Sequence, residues 1–290
     1  MMNISKDAGE ILGVFGWAKF RFIGCIVCAV IFIGVAILCF SLMNIPTSRE
    51  AAHGGAYFDT TGWPVSPFIL FMSVGGGLLI LAAITLLVAR SVKAKYTFTV
   101  YEGGIASRCG GKETYIPFRD IEDVYLFSVG RGNYSGELNS LAYRKSRQNG
   151  WIIISLLNTD SEKLISLFRQ LHAEQRSRAL QEKVEQGQKV RFDYVSAKNV
   201  WLKRAFALRI ADYLKIDASL KPLYLTKEGI VIDEKNIVIT KTDCITNDSW
   251  VENLYVLDSH GSKKFSMMFP TIISGDAFIT TLNKVIETKD

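Results

Sequence analysis

The sequence predicts an α+β chain in which a two-helix transmembrane hairpin precedes two antiparallel β domains, each closed by a C-terminal helix. Three observations carry that expectation. Two long apolar runs, Phe22–Met43 and Val65–Ala89, contain no Asp, Glu, Lys, Arg or His. From Tyr96 the pattern becomes short alternating stretches separated by glycine pairs, the mark of antiparallel strands. Two later segments, starting near Thr159 and Ile272, repeat apolar residues at helical spacing.

Taken in order, residues 1–21 form an N-terminal segment in which Ile4, Ile11, Leu12, Phe15 and Trp17 stand among charges. It is expected to lie along a membrane interface, with Trp17 and Phe20 at headgroup depth and Lys19 and Arg21 toward phosphates. Gly9, Gly13 and Gly16 weaken any helix there. Residues 22–43 and 65–90 are the spans. About 20 residues at ~1.5 Å each cover the ~30 Å hydrocarbon layer, where only a helix satisfies its own backbone. A cleaved secretory signal fits poorly, because the first run is too long, lacks a small-x-small site and is followed by a second span.

The connector 44–64 is rich in turn residues, with Tyr57, Phe58 and Trp63 suited to the outer interface. It holds Arg49 against Glu50 and Asp59, whereas Lys6, Lys19, Arg21, Arg90, Lys93 and Lys95 flank the spans. Positive charge stays inside, so both termini and everything beyond residue 90 are expected on the cytoplasmic face of an inner, multi-pass membrane protein. A net charge of +6 over 290 residues is too small an excess to imply nucleic acid. Anionic lipid beside the basic flanks accounts for it.

Small residues recur in both spans. Gly24 and Cys28 stand four apart, as do Cys25 and Ala29, and the second span has the run Gly75, Gly76 and Gly77 followed by Ala82 and Ala83; such positions let helices approach closely. Packing within the hairpin and a homo-oligomer interface are both compatible with them. A transport route is disfavoured, because neither span carries an ionisable group. Cys25-x-x-Cys28 has a redox spacing, but a thiol in hydrocarbon acts as a small apolar side chain.

The first β domain is expected over 95–183. YTFTVYE, IASRC, ETYIPF and IEDVYLFSV read as a meander, LAYRKS and WIIISLLN as later strands. A helix follows, capped by Thr159 or Asp160, with Leu164, Ile165, Phe168 and Leu171 on one face. The second domain, 187–290, repeats the first. FTVYEGGI (98–105) is matched by YLTKEGI (224–230), and IPFRDI (116–121) by ITKTDCI (239–245). KVRFDYV, NLYVLDS and KKFSMMF are further strands, and Ile273, Ala277, Phe278, Leu282 and Ile286 define the closing helix. An amphipathic helix, Asn199–Leu214, is expected as an insertion.

This order of strand, Glu-Gly-Ile, strand, Ile-Pro-Phe-x-Asp-Ile, further strands and terminal helix resembles bacterial pleckstrin-homology-like domains. The second copy departs from it, with Thr240-Lys241 in place of Pro-Phe. The resemblance implies a bent sheet plugged by a helix, and a role in binding lipid headgroups or proteins; fold alone does not choose between them.

Chemistry-bearing clusters are sparse. His53, His172 and His260 are scattered, no Cys/His spacing suits zinc, and the acidic groups around Asp120 and Asp233 read as solvated turns. Neither an enzyme, a metal nor a cofactor is expected. The candidate lipid or partner surface comprises Arg144, Lys145 and Arg147 beside Trp151, with Lys198, Lys203, Arg204 and Arg209 around Trp201. Two functional readings result. One is a membrane adaptor whose tandem cytosolic domains bind protein or anionic lipid. The other is a small subunit or immunity-type factor of a membrane complex, acting through its hairpin.

Overall fold

The computed structural model describes residues 8–43, 66–91, 94–128, 138–198, 214–248 and 253–288. Among them are four α-helices and four antiparallel sheets, in two bodies: residues 17–94, and residues 1–16 together with 95–290.

The first body is the hairpin of α1 (Lys19–Leu42) and α2 (Pro67–Ser91). Both are long and apolar enough to cross a membrane, and only 17% and 11% of their apolar windows are buried. A core helix of a water-soluble protein would hide most of that surface; these helices hide only their seam. The seam is built from small residues seven apart, Ala29 and Ala36 on α1 with Gly75, Ala82 and Ala89 on α2. A seven-residue repeat keeps one stripe facing the partner helix, and small side chains let the backbones close in. At Gly75 a Cβ would come within 2.9 Å of the Phe40 ring. Polar side chains within the runs bond to their own helix: Ser41 Oγ donates to Ile37 O at 3.0 Å, and Thr85 Oγ1 to Leu81 O at 2.8 Å.

The second body is a duplicated β structure. Its first half has the sheet β1 (Ile11–Phe15), β2 (Thr97–Tyr101), β3 (Gly104–Cys109), β4 (Lys112–Pro117), in that spatial order. A three-stranded sheet of β5 (Asp123–Phe127), β6 (Ser140–Arg144) and β7 (Ile152–Ile154) follows, then α3 (Ser161–Glu185). The second half repeats the plan. Strands β8 (Val190–Val195), β9 (Leu220–Leu225), β10 (Gly229–Ile232) and β11 (Lys235–Val238) make the four-stranded sheet. Strands β12 (Cys244–Asp248), β13 (Asn253–Leu257) and β14 (Lys263–Met268) make the smaller one, and α4 (Gly275–Glu287) closes it.

The repeated Gly-Ile has a steric cause. A Cβ on Gly104 would stand 2.5 Å from the Ile116 carbonyl oxygen of β4, and one on Gly229 would be closer still to the Ile237 carbonyl of β11. In both halves the neighbouring backbone crosses where only glycine leaves room. Both closing helices also start from a residue in the left-handed region, Asp160 at φ 46° and Ser274 at φ 57°.

Three expectations change. Within the segment 1–21, for which no regular element was expected, residues 11–15 form the strand β1, with Val14 opposite Thr99 and Phe15 opposite Phe98. Phe15 fills the first core, which outweighs the poor propensity of its glycine neighbours. The hairpin is thus an insertion between two paired strands. Neither Thr159 nor Asp160 caps α3 through its side chain. Thr159 instead ties down the chain before the hairpin: Gly16 N–H donates to Thr159 Oγ1 at 2.8 Å and Thr159 N–H to Gly16 O at 3.0 Å. Finally, the two halves share elements and form one body. Leu164, Ile165 and Phe168 of α3 fill the first core, Leu180 and Val184 the second, and Phe269 reaches back into the first.

Candidate functional site

The two halves meet along an apolar patch with a polar rim. Tyr125, Phe127 and Ala142 of the small first sheet pack on Val195, Ile216 and Ile273. Beside them the loop before α4 pairs with β5. Ser274 N–H donates to Val124 O at 2.7 Å, Val124 N–H to Ser274 Oγ at 3.0 Å, and Ser274 Oγ to Glu122 O at 2.7 Å. Both orphan donors at the start of α4 and the edge of β5 are thereby satisfied.

Arg144, at the end of β6, is the bolt of the seam. Its side chain is 2% exposed. Nε donates to Asp123 Oδ2 at 2.6 Å, while Nη1 and Nη2 donate to the two oxygens of Asp217 at 3.1 and 2.8 Å. Its guanidinium lies 4.2 Å from the Trp151 ring centre. Asp123 belongs to the first half and Asp217 to the second, so one planar cation joins both. Burial pushes the Asp123 carboxyl up in pKa, more than Arg144 pulls it down. Burial also works against the charge on Arg144, but its two carboxylates outweigh that and hold its pKa above the usual value. A second fork, Arg169 to Asp276 at 2.8 Å on both arms, joins α3 to α4.

Next to this seam is a cleft of about 320 Å³, lined by Glu122, Asp123, Arg147, Arg176, Arg191 and Asp193, with Leu180 and Phe192 among its apolar walls. Asp193 is buried and holds two cations, Arg147 and, at 3.1 Å, Arg191. Arg176 donates to Arg119 O at 2.7 Å and has no ion-pair partner among the described residues. Burial lowers its pKa, which Glu122, Asp120 and Asp123 partly offset. The cleft offers guanidinium donors and carboxylate acceptors side by side, an arrangement for holding a polar group. Among the described residues no group of His, Cys, Asp and Glu could hold a metal ion.

The residues proposed from sequence are dispersed. Arg144 is sealed in the seam and so belongs to no open basic surface, whereas Arg147 is exposed and paired with Asp193. Lys145 is exposed, with Nζ 3.5 Å from Asp120, and Lys198 is exposed. Lys203, Arg204 and Arg209 lie outside the described residues. In the hairpin, of the five small residues Gly24, Cys28, Gly75, Gly76 and Gly77, Gly75 meets the other helix. Gly24, Gly76 and Gly77 have nothing within 4 Å of a Cβ position, and Cys28 is exposed. Ala29 and Ala82, also among the small residues noted in the sequence, form the seam together with Ala36 and Ala89. Their seven-residue spacing was the available signal. For the cleft Asp193 carried no such signal, because it shares the strand phase of Arg191, opposite Val190, Phe192 and Tyr194 of the core. Asp217 and Arg176 had none.

No family model matches the chain, and no curated protein or solved structure is significantly similar to it.

Proposed function

We propose that this chain is a non-enzymatic membrane adaptor. Its hairpin spans the bilayer, and its two pleckstrin-homology-like halves are held at the cytosolic face to bind a protein partner or anionic lipid. One observation carries the reading: β1, before the first span, pairs with β2, after the second. A chain whose flanks share a sheet returns to the side it left, as two crossings require. Cleavage behind α1 would strip β1 from its sheet, which argues for a retained anchor. Lys19, Arg21 and Arg90 at the helix ends favour the cytosolic side for both flanks. The doubled four-strand, three-strand, helix order supports the pleckstrin-homology-like assignment.

Of the candidate cations among the described residues, Arg144 is engaged internally, while Lys145, Arg147 and Lys198 are exposed. The alternative, a small subunit or immunity-type factor acting through the hairpin, is favoured by the open surface at Gly24, Gly76 and Gly77. Affinity capture after cross-linking in native membranes separates the two. The adaptor reading expects the captured partner to be lost with Lys145→Glu plus Lys198→Glu and kept with Gly76→Leu plus Gly77→Leu. The opposite pattern would favour the hairpin.

A further inference from the structure

Among its described residues the β-rich body exposes only four large apolar side chains: Ile11 at 59%, Leu12 at 39%, Val14 at 72% and Val238 at 57%. Three of the four fall on β1, a strand without a charged residue at the outer edge of its sheet. Globular proteins blunt such edges with charge or cover, because an apolar edge strand invites association.

The sequence itself limits what can cover this one. The strand ends at Phe15 and α1 begins at Lys19. At no more than about 3.6 Å per residue, Val14 lies within ~18 Å of the start of a helix long enough to span a bilayer. Trp17, Lys19 and Arg21 follow in the order of an interfacial anchor, aromatic first and then cations for phosphate. We infer that Ile11, Leu12 and Val14 of β1 seat in the interfacial layer of the lipid bilayer, so that the edge of the first sheet is itself a lipid-contacting surface. The inference rests on the membrane reading above. Lipid is favoured over a second copy because the patch is continuous in sequence with the span.

The test uses the full chain in vesicles of phosphatidylethanolamine and phosphatidylglycerol. Photoreactive p-benzoylphenylalanine replaces Val14, Lys112 on the opposite edge strand, or Ile80 in the middle of α2. After irradiation, mass spectrometry should find lipid adducts at positions 14 and 80 and none at 112. Absence of lipid adduct at 14 while 80 reacts would overturn the inference, as would a cross-linked dimer or an intrachain link in its place. Equal adduct at 112 would also overturn it, since lipid would then not be particular to β1. Failure at position 80 would instead remove the membrane reading.

Discussion

Arg144→Ala is the most informative single change in the β-rich body. The side chain is buried, three of its N–H donors reach carboxylates, and its plane covers Trp151. Truncation leaves Asp123 in the seam without its cation. Removing one partner of a buried pair costs about 3–5 kcal/mol, which for a body of this size is a fall of roughly 10 °C in Tm. Asp217 is half exposed, so Asp217→Asn should cost less than about 1 kcal/mol. Replacing the pair together, Arg144→Met with Asp123→Leu, should recover most of the loss, because no charge is then buried alone.

The pH dependence carries a second check on the same change. Asp123 already has a raised pKa from burial, and without Arg144 it rises further. A carboxyl whose folded pKa is above its unfolded value favours folding while protonated and loses that advantage as pH rises through the folded pKa. The Arg144→Ala defect should therefore be smaller at pH 5 than at pH 8. Urea unfolding of the detergent-solubilised chain, followed by near-ultraviolet circular dichroism, reads both effects. A cost below 1 kcal/mol, or a defect that grows on acidification, would refute the bolt.

Other expectations follow from burial and sterics. His172 is buried in α3, where Nε2–H donates to Ile121 O at 3.1 Å, and burial lowers its pKa to about 4. Its neutral form is required, so stability should fall as pH drops below the unfolded value near 6.5, by about 2 kcal/mol at pH 5. His172→Leu should flatten that component in pH-dependent urea midpoints. Gly104→Ala and Gly229→Ala should each cost roughly 3 kcal/mol in thermal unfolding, because a backbone carbonyl occupies the Cβ site. Gly150→Ala, with open space around it, should be neutral. In the hairpin, Gly75→Leu must displace the Phe40 ring and should loosen α1–α2 packing by about 1–3 kcal/mol, read as lost disulfide cross-linking between cysteines placed across the seam. Gly76→Leu should leave that cross-linking intact.

The two long apolar helices were legible from their charge-free runs, and the doubled β plan was legible because the same Gly-Ile clash arises twice. Strand β1 was not. Five residues with a glycine inside carry little signal, and their partner lies beyond the whole hairpin. The basic residues misled for a related reason. Arg144, Lys145 and Arg147 look like a surface cluster in sequence, but Asp123, Asp193 and Asp217 come to two of them from other strands and turns. In a similar way, glycine runs point to close packing while the real seam depends on helical phase: Gly75 falls on the seven-residue stripe with Ala82 and Ala89, whereas Gly76 and Gly77 do not.

Sidedness of the two flanks is the most direct test of a hairpin spliced into a sheet. Cysteines at Ile11, Gly54 and Lys112, in a background with Cys109 and Cys244 replaced by serine, can be probed in intact cells with a membrane-impermeant maleimide. Labelling at 54 alone, with 11 and 112 reacting only after lysis, is the expected result. Reaction of 11 and 112 from opposite sides would contradict the account, because β1 and β2 could not then belong to one sheet.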